Sequence, residues 1–173
     1  MRFRLPAVSI SIVLALVFAL VLTFGACLFT ACEKSRAPGT IPELSLKTYG
    51  GETFTFGPKD GKVTLVVFWA TWCTPCLEEI PQLKDFHETY AEQGFRVVSI
   101  NIDDPEGVKA PLLAKQFEIN YPVLIGDEKA EKAFGGLRAL PTSFLVGRDG
   151  RVKRKLEGLY PAATMEQLIT EQL

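Results

Sequence analysis

Trp69-Ala70-Thr71-Trp72-Cys73-Thr74-Pro75-Cys76-Leu77-Glu78-Glu79-Ile80-Pro81 joins two different periodicities. Ahead of it, Val63-Thr64-Leu65-Val66-Val67-Phe68-Trp69 is an almost uninterrupted β-forming run, the pattern of a strand buried on both faces of a sheet. Behind it, Leu77, Ile80, Leu83, Phe86 and Tyr90 recur at three- or four-residue steps, which predicts an amphipathic helix, bent at Pro81 and ending near Gly94. The two cysteines therefore fall at a strand-to-helix junction. With Trp72 closing the loop, Cys73 lies in the first helical turn and Cys76 one turn further in. Residues three apart on a helix are neighbours at about 5–6 Å, within the Cα separation that a disulfide accepts. Unpaired amide groups and the dipole at the helix start favour a thiolate at Cys73, and the thiolate is the attacking species in disulfide exchange. Cys73 is the expected attacker and Cys76 the residue that resolves the mixed disulfide. Pro75 suits this turn, where amide groups lack partners in any case.

The flanking sequence predicts the rest of an α/β core. Residues 44–56 read as a hairpin with Gly50-Gly51 at its turn, and residues 57–62 as a breaker-rich turn. That turn lacks the glycine spacing of a phosphate loop, and no Ser or Thr follows Lys62. Residues 95–102 form a second strand. A helical segment follows, with Val108, Leu112 and Phe117 expected inward and Pro111 near its start. Residues 121–125 read as a strand, 128–134 as a short helix, and 142–146 as a strand turning at Asp149-Gly150 into 151–156. Residues 161–173 close the chain as a helix with Met165, Leu168 and Ile169 apolar. Alternating strands and helices with a terminal hairpin imply a mixed central sheet flanked by helices. Arg151-Val152-Lys153-Arg154-Lys155, the densest basic run, reads as a charged strand near a sheet edge.

The beginning of the chain is of another kind. Arg2 and Arg4 precede a stretch from Ala7 to Ala31 without a charged residue, longer than a signal-peptide core and long enough to span a bilayer. Residues 1–32 are expected to be a membrane anchor or a lipoprotein signal. The positive-inside rule places the remainder outside the cytoplasm, in the periplasm or at the cell exterior. Phe29-Thr30-Ala31-Cys32 resembles the lipobox of bacterial lipoproteins, with Phe29 in place of the usual aliphatic residue, and Phe24-Gly25-Ala26-Cys27 competes with it. Alternatively both cysteines are small apolar residues of the span. Residues 33–40 have the composition of a spacer and residues 41–173 are long enough for one domain with a core. Setting Arg2 and Arg4 aside, 17 basic residues face 20 acidic ones, a balance that does not attract nucleic acid.

Cys73 and Cys76 are then the only cysteines of the outer domain. A passive disulfide closing so short a loop adds little stability. A zinc site needs four ligands, and the single histidine, His87, stands eleven residues beyond Cys76, about 16 Å along the helix. No metal is expected, and His87 reads as a boundary residue on a helix face.

Trp72-Cys73-Thr74-Pro75-Cys76, the apolar strand before it, Leu140-Pro141-Thr142 further on, and Gly158 with the final helix together resemble the thioredoxin superfamily. The anchor, Glu79-Ile80-Pro81 and the extra helical segment between two central strands resemble its TlpA/ResA-like branch of membrane-anchored thiol-disulfide oxidoreductases. The resemblance implies a thioredoxin-like fold with an N-terminal hairpin and a helical insertion. It also implies a cis Pro141 opposite the cysteines, with the backbone of Leu140 pairing with the substrate chain, and Trp72, Thr74, Pro75 and Thr142 bordering the substrate. Glu79 matches the family's active-site glutamate. It shares the helix side of Cys76 while Glu78 is rotated away, and a carboxyl there can exchange a proton with Cys76 once burial raises its pKa. The buried acid that thioredoxins carry six residues before the first cysteine is Val67 here, which leaves the proton relay to Glu79 or water.

The expected activity is reduction of protein disulfides, with no cofactor beyond the redox-active pair. Apocytochrome c is the first substrate candidate and a membrane thiol reductase the electron donor. Two alternatives stand beside it. A tethered, non-catalytic thiol- or metal-binding module would not exchange disulfides. A peroxiredoxin-like peroxidase would carry a threonine three residues and a proline seven residues before its attacking cysteine. Before Cys73 those positions hold Ala70 and Val66, and before Cys76 they hold Cys73 and Trp69.

Overall fold

The protein is described here by a computed structural model covering residues 39–173. The expected anchor and most of the spacer lie outside the described residues. Among the described residues, no helix is long and apolar enough to cross a membrane.

Strand β3 (Val63–Trp69) is the centre of a five-stranded sheet, and all seven of its residues are buried. It lies parallel to β4 (Phe95–Asn101), which is parallel to β5 (Val123–Ile125). On its other side it runs antiparallel to β6 (Thr142–Val146), which pairs antiparallel with β7 (Val152–Glu157). The alternation of side chains along β3 feeds two cores. Val66 and Phe68 pack with the hairpin of β1 (Leu44–Lys47) and β2 (Thr53–Phe56), and with Phe134 and Phe144. Val63, Leu65 and Val67 pack with Leu83 and Phe86 of helix α1 (Thr74–Thr89) and with Met165 and Ile169 of helix α4 (Ala162–Thr170). Helices α2 (Ala110–Gln116) and α3 (Glu128–Ala133) complete the mixed α/β architecture. Gly94 accommodates the left-handed turn (φ 79°) that ends the α1 region and admits β4, as glycine does without steric cost.

One expected face is corrected. Val108 and Leu112 are 62% and 66% exposed rather than inward. The helix begins only at Ala110, with Pro111 in its first turn, so the inward stripe starts at buried Ala110 and continues through Leu113 to half-buried Phe117. Residues 39 and 40, the end of the expected spacer, do more than link, together with Ile41. Thr40 bridges to Arg151, the Ile41 N–H donates to the Gly150 carbonyl (3.0 Å), and the Val152 N–H donates to the Gly39 carbonyl (3.2 Å). They cover part of the outer edge of β7, the basic strand at the end of the sheet.

Candidate redox-active site

The β3-to-α1 junction is a tight turn in which the Cys73 N–H donates to the Ala70 carbonyl (3.1 Å). Cys73 is the N-cap of α1, and its carbonyl accepts from Cys76 N–H (3.1 Å) and Leu77 N–H (3.2 Å). Cys73 and Cys76 form a disulfide with a Cα–Cα distance of 5.3 Å, and each is 3% exposed. They pack with Trp69, Ala70 and Ala110, and with half-buried Tyr49, Leu77, Leu113 and Leu140.

The site residues expected from the sequence have different surroundings. Trp72 is 72% exposed beside Cys73, and Thr74 and Pro75 are exposed in the first turn of α1. The Leu140-Pro141 peptide is cis, and Leu140 packs against the cluster holding the cysteines. Thr142 is fully buried in β6 opposite Phe68, and its hydroxyl donates to the Ala139 carbonyl (2.7 Å). Its hydroxyl shapes the turn that carries Leu140-Pro141. Val67, at the position of the thioredoxin acid, is a buried core residue of β3.

Glu79 lies on α1 three residues after Cys76, only 1% exposed, and neither carboxyl oxygen has a hydrogen-bond partner among the described residues. Burial disfavours the charged form and pushes its pKa up to about 7; Gln82 offsets this in part, although its amide donates to the Tyr160 carbonyl (3.3 Å). Buried Tyr121 stands in reach of this charge, since burial and then Glu79 both hold its phenol above the ordinary range. Glu78, one position earlier, is exposed.

A polar knot at the end of β4 went unnoticed in the sequence. Asn101, 1% exposed, is the register partner of Trp69; its Oδ1 accepts from Tyr49 O–H (2.9 Å) and Asp104 N–H (2.9 Å). The Asp104 carboxylate accepts from the N–H groups of Val108 (3.2 Å), Lys109 (2.8 Å) and Ala110 (2.7 Å). Burial works against that charge, but these backbone donors outweigh it and hold the carboxyl below its usual range. The knot thereby seats α2 against the disulfide. Only the parallel pairing of β3 with β4 brings these residues to the cysteine turn, and sequence periodicity does not specify that register.

Residues 39–155 match the AhpC/TSA family. The chain belongs to this family, within the thioredoxin superfamily. It is 28% identical over 156 residues to the thiol-disulfide oxidoreductase ResA of Geobacillus thermodenitrificans, covering 90% of this chain and 89% of that one. It is 31% identical over 142 residues to ResA of Bacillus cereus, covering 81% and 79%. The crystal structure of a thiol:disulfide interchange protein of the thioredoxin family from Chlorobium tepidum superposes with a TM-score of 0.72 at 30% identity, covering 78% of this chain and 96% of that one. The AhpC/TSA domain described here is a thiol-disulfide oxidoreductase with a thioredoxin-like fold.

Proposed function

We propose that the protein is a membrane-tethered, extracytoplasmic reductant of protein disulfides. The observation that carries the reading is a Cys73-Cys76 pair at the start of α1, one turn from a buried carboxyl whose pKa lies near neutrality. In the reduced enzyme, the Cys73 thiolate attacks one sulfur of a substrate disulfide; that bond breaks, and its other sulfur leaves as a thiolate and takes up a proton. Cys76 passes its proton to ionised Glu79 and attacks the Cys73 sulfur. The mixed disulfide breaks, the second substrate thiolate leaves, and Cys73-Cys76 closes. Two electrons have moved to the substrate, and a membrane thiol reductase restores the dithiol. Exposed Trp72 and the Leu140-Pro141 backbone border the approach to Cys73.

The uncharged stretch after Arg2 and Arg4 supports the outward-facing tether, by a transmembrane anchor or by lipidation at Cys32 or Cys27. Apocytochrome c, with its haem-binding cysteines oxidised, is the first substrate to test, as the resemblance to the TlpA/ResA-like branch implies. Nothing at the site favours peroxide reduction: Ala70 and Val66, where that chemistry places threonine and proline, are fully buried apolar residues.

Cys76→Ser removes the resolving thiol and should accumulate substrate proteins disulfide-bonded to Cys73, recovered from intact membranes and identified by mass spectrometry. Cys73→Ser should trap none. A tethered module that only binds thiols or metal would yield no mixed disulfide, and a peroxidase would consume peroxide in a Cys73-dependent way.

A further inference from the structure

The turn that delivers Cys73 is held from outside. Its first residue, Ala70, contributes the carbonyl that accepts from Cys73 N–H, which leaves the N–H of the next residue, Thr71, pointing out of the turn. That N–H donates to Asp103 Oδ1 (2.8 Å), and the Thr71 hydroxyl donates to Asp103 Oδ2 (2.7 Å). Both oxygens of one carboxylate therefore engage one residue, two positions before Cys73. Asp103 is fixed in turn, because Asn101 Nδ2 donates to its Oδ1 (2.8 Å) and the Ile102 N–H donates to the Trp69 carbonyl (3.1 Å). Charge-assisted hydrogen bonds in paired geometry are among the stronger and more directional ones a side chain makes.

We propose that Asp103 is a positioning residue of the exchange reaction: its two-point clamp on Thr71 fixes the Ala70–Cys73 turn and thereby holds the Cys73 sulfur at the N-terminus of α1. The inference rests on the reading of Cys73 as the attacking thiolate and adds what keeps it there. A turn freed from the clamp lets Cys73 leave the N-cap position, and the sulfur loses the amide dipoles that favour its ionised form.

The test follows alkylation of Cys73 against pH in the reduced full-length chain, read by mass spectrometry of the Cys73 peptide, with circular dichroism to check folding. Thr71→Val keeps volume and branching but removes the hydroxyl arm; its profile should move to higher pH, with Cys73 alkylation at pH 6 falling about threefold or more. Thr71→Ser keeps the arm and should follow the wild type. Asp103→Ala should move the profile in the same direction as Thr71→Val and at least as far. A Thr71→Val profile matching wild type overturns the clamp. So does an Asp103→Ala profile that moves to lower pH, the signature of a charge acting directly on the thiolate. An ordinary free-thiol profile in the wild type overturns the clamp together with the attacking-thiolate reading, which distinguishes the two failures.

Discussion

Glu79 buries a carboxyl without a hydrogen-bond partner among the described residues, and such a group is tolerated chiefly in its neutral form. Its folded-state pKa, about 7, lies above the value of 4.5 that an unperturbed glutamate has. The folded protein thus holds a proton between these values that the unfolded chain has released. The stability associated with this proton is present in full below about 4.5 and is lost as pH rises towards 7, by about 3 kcal/mol in all. Glu79→Gln, uncharged at every pH, should remove this loss: urea denaturation at pH 5 and pH 8 should show a smaller fall for the variant than for wild type. In the proposed resolution step the same group acts with the opposite sign, because only the ionised carboxyl can accept the Cys76 proton. Resolution of a preformed mixed disulfide, followed by stopped flow, should accelerate in wild type as pH passes through about 7. In Glu79→Gln that inflection should disappear and the rate at pH 8 fall by roughly tenfold to a hundredfold. An unchanged inflection in the variant would assign the proton transfer to water.

At the level of elements, α1 does two things at once: its start carries the sulfurs, and its later turns tie the helix to β4. The Val97 N–H, on β4 ahead of the point where β5 begins to pair, donates to His87 Nδ1 (3.0 Å). The ring must be neutral to accept. Burial, and then the charge of Lys62, lower its pKa accordingly. A histidine depressed in the fold binds its proton more readily in the unfolded chain, so this element weakens as pH falls below the ordinary value of about 6.5. His87→Ala leaves the buried Val97 amide without its acceptor and should cost about 1–3 kcal/mol in urea denaturation at pH 7.5, with a shallower decline on acidification than wild type. The sequence reads His87 as a boundary residue on a helix face, but its partner lies on another element. Helix α2 shows the same limit. Its existence was legible in residues 108–117, whereas its inward face followed from Asp104 and Pro111 setting the start at Ala110.

Across the whole molecule, what could be read in advance was what local pattern encodes: the seven-residue buried strand, the cysteines at a helix start, Glu79 on the side of Cys76, and the mixed sheet. What could not be read was what pairing brings together, above all Thr71 with Asp103 and residues 39–41 with β7. The second of these fixes where the folded unit starts. Ile41 is 2% exposed and packs with Leu44, Phe56 and Val146, while its own N–H donates to the Gly150 carbonyl and the Gly39 carbonyl two residues earlier accepts from Val152 N–H. A chain starting at residue 39 keeps these contacts; one starting at residue 43 loses a buried isoleucine and two backbone hydrogen bonds. Burial of such a side chain contributes about 1.5–3 kcal/mol and each hydrogen bond about 0.5–1.5 kcal/mol. Residues 43–173 should therefore unfold at lower urea concentration than residues 39–173, by about 3 kcal/mol, and expose the β7 edge to self-association that sedimentation would detect. Equal stability of the two chains would return residues 39 and 40 to the role of a spacer and leave the basic side chains of β7 as the guard on that edge.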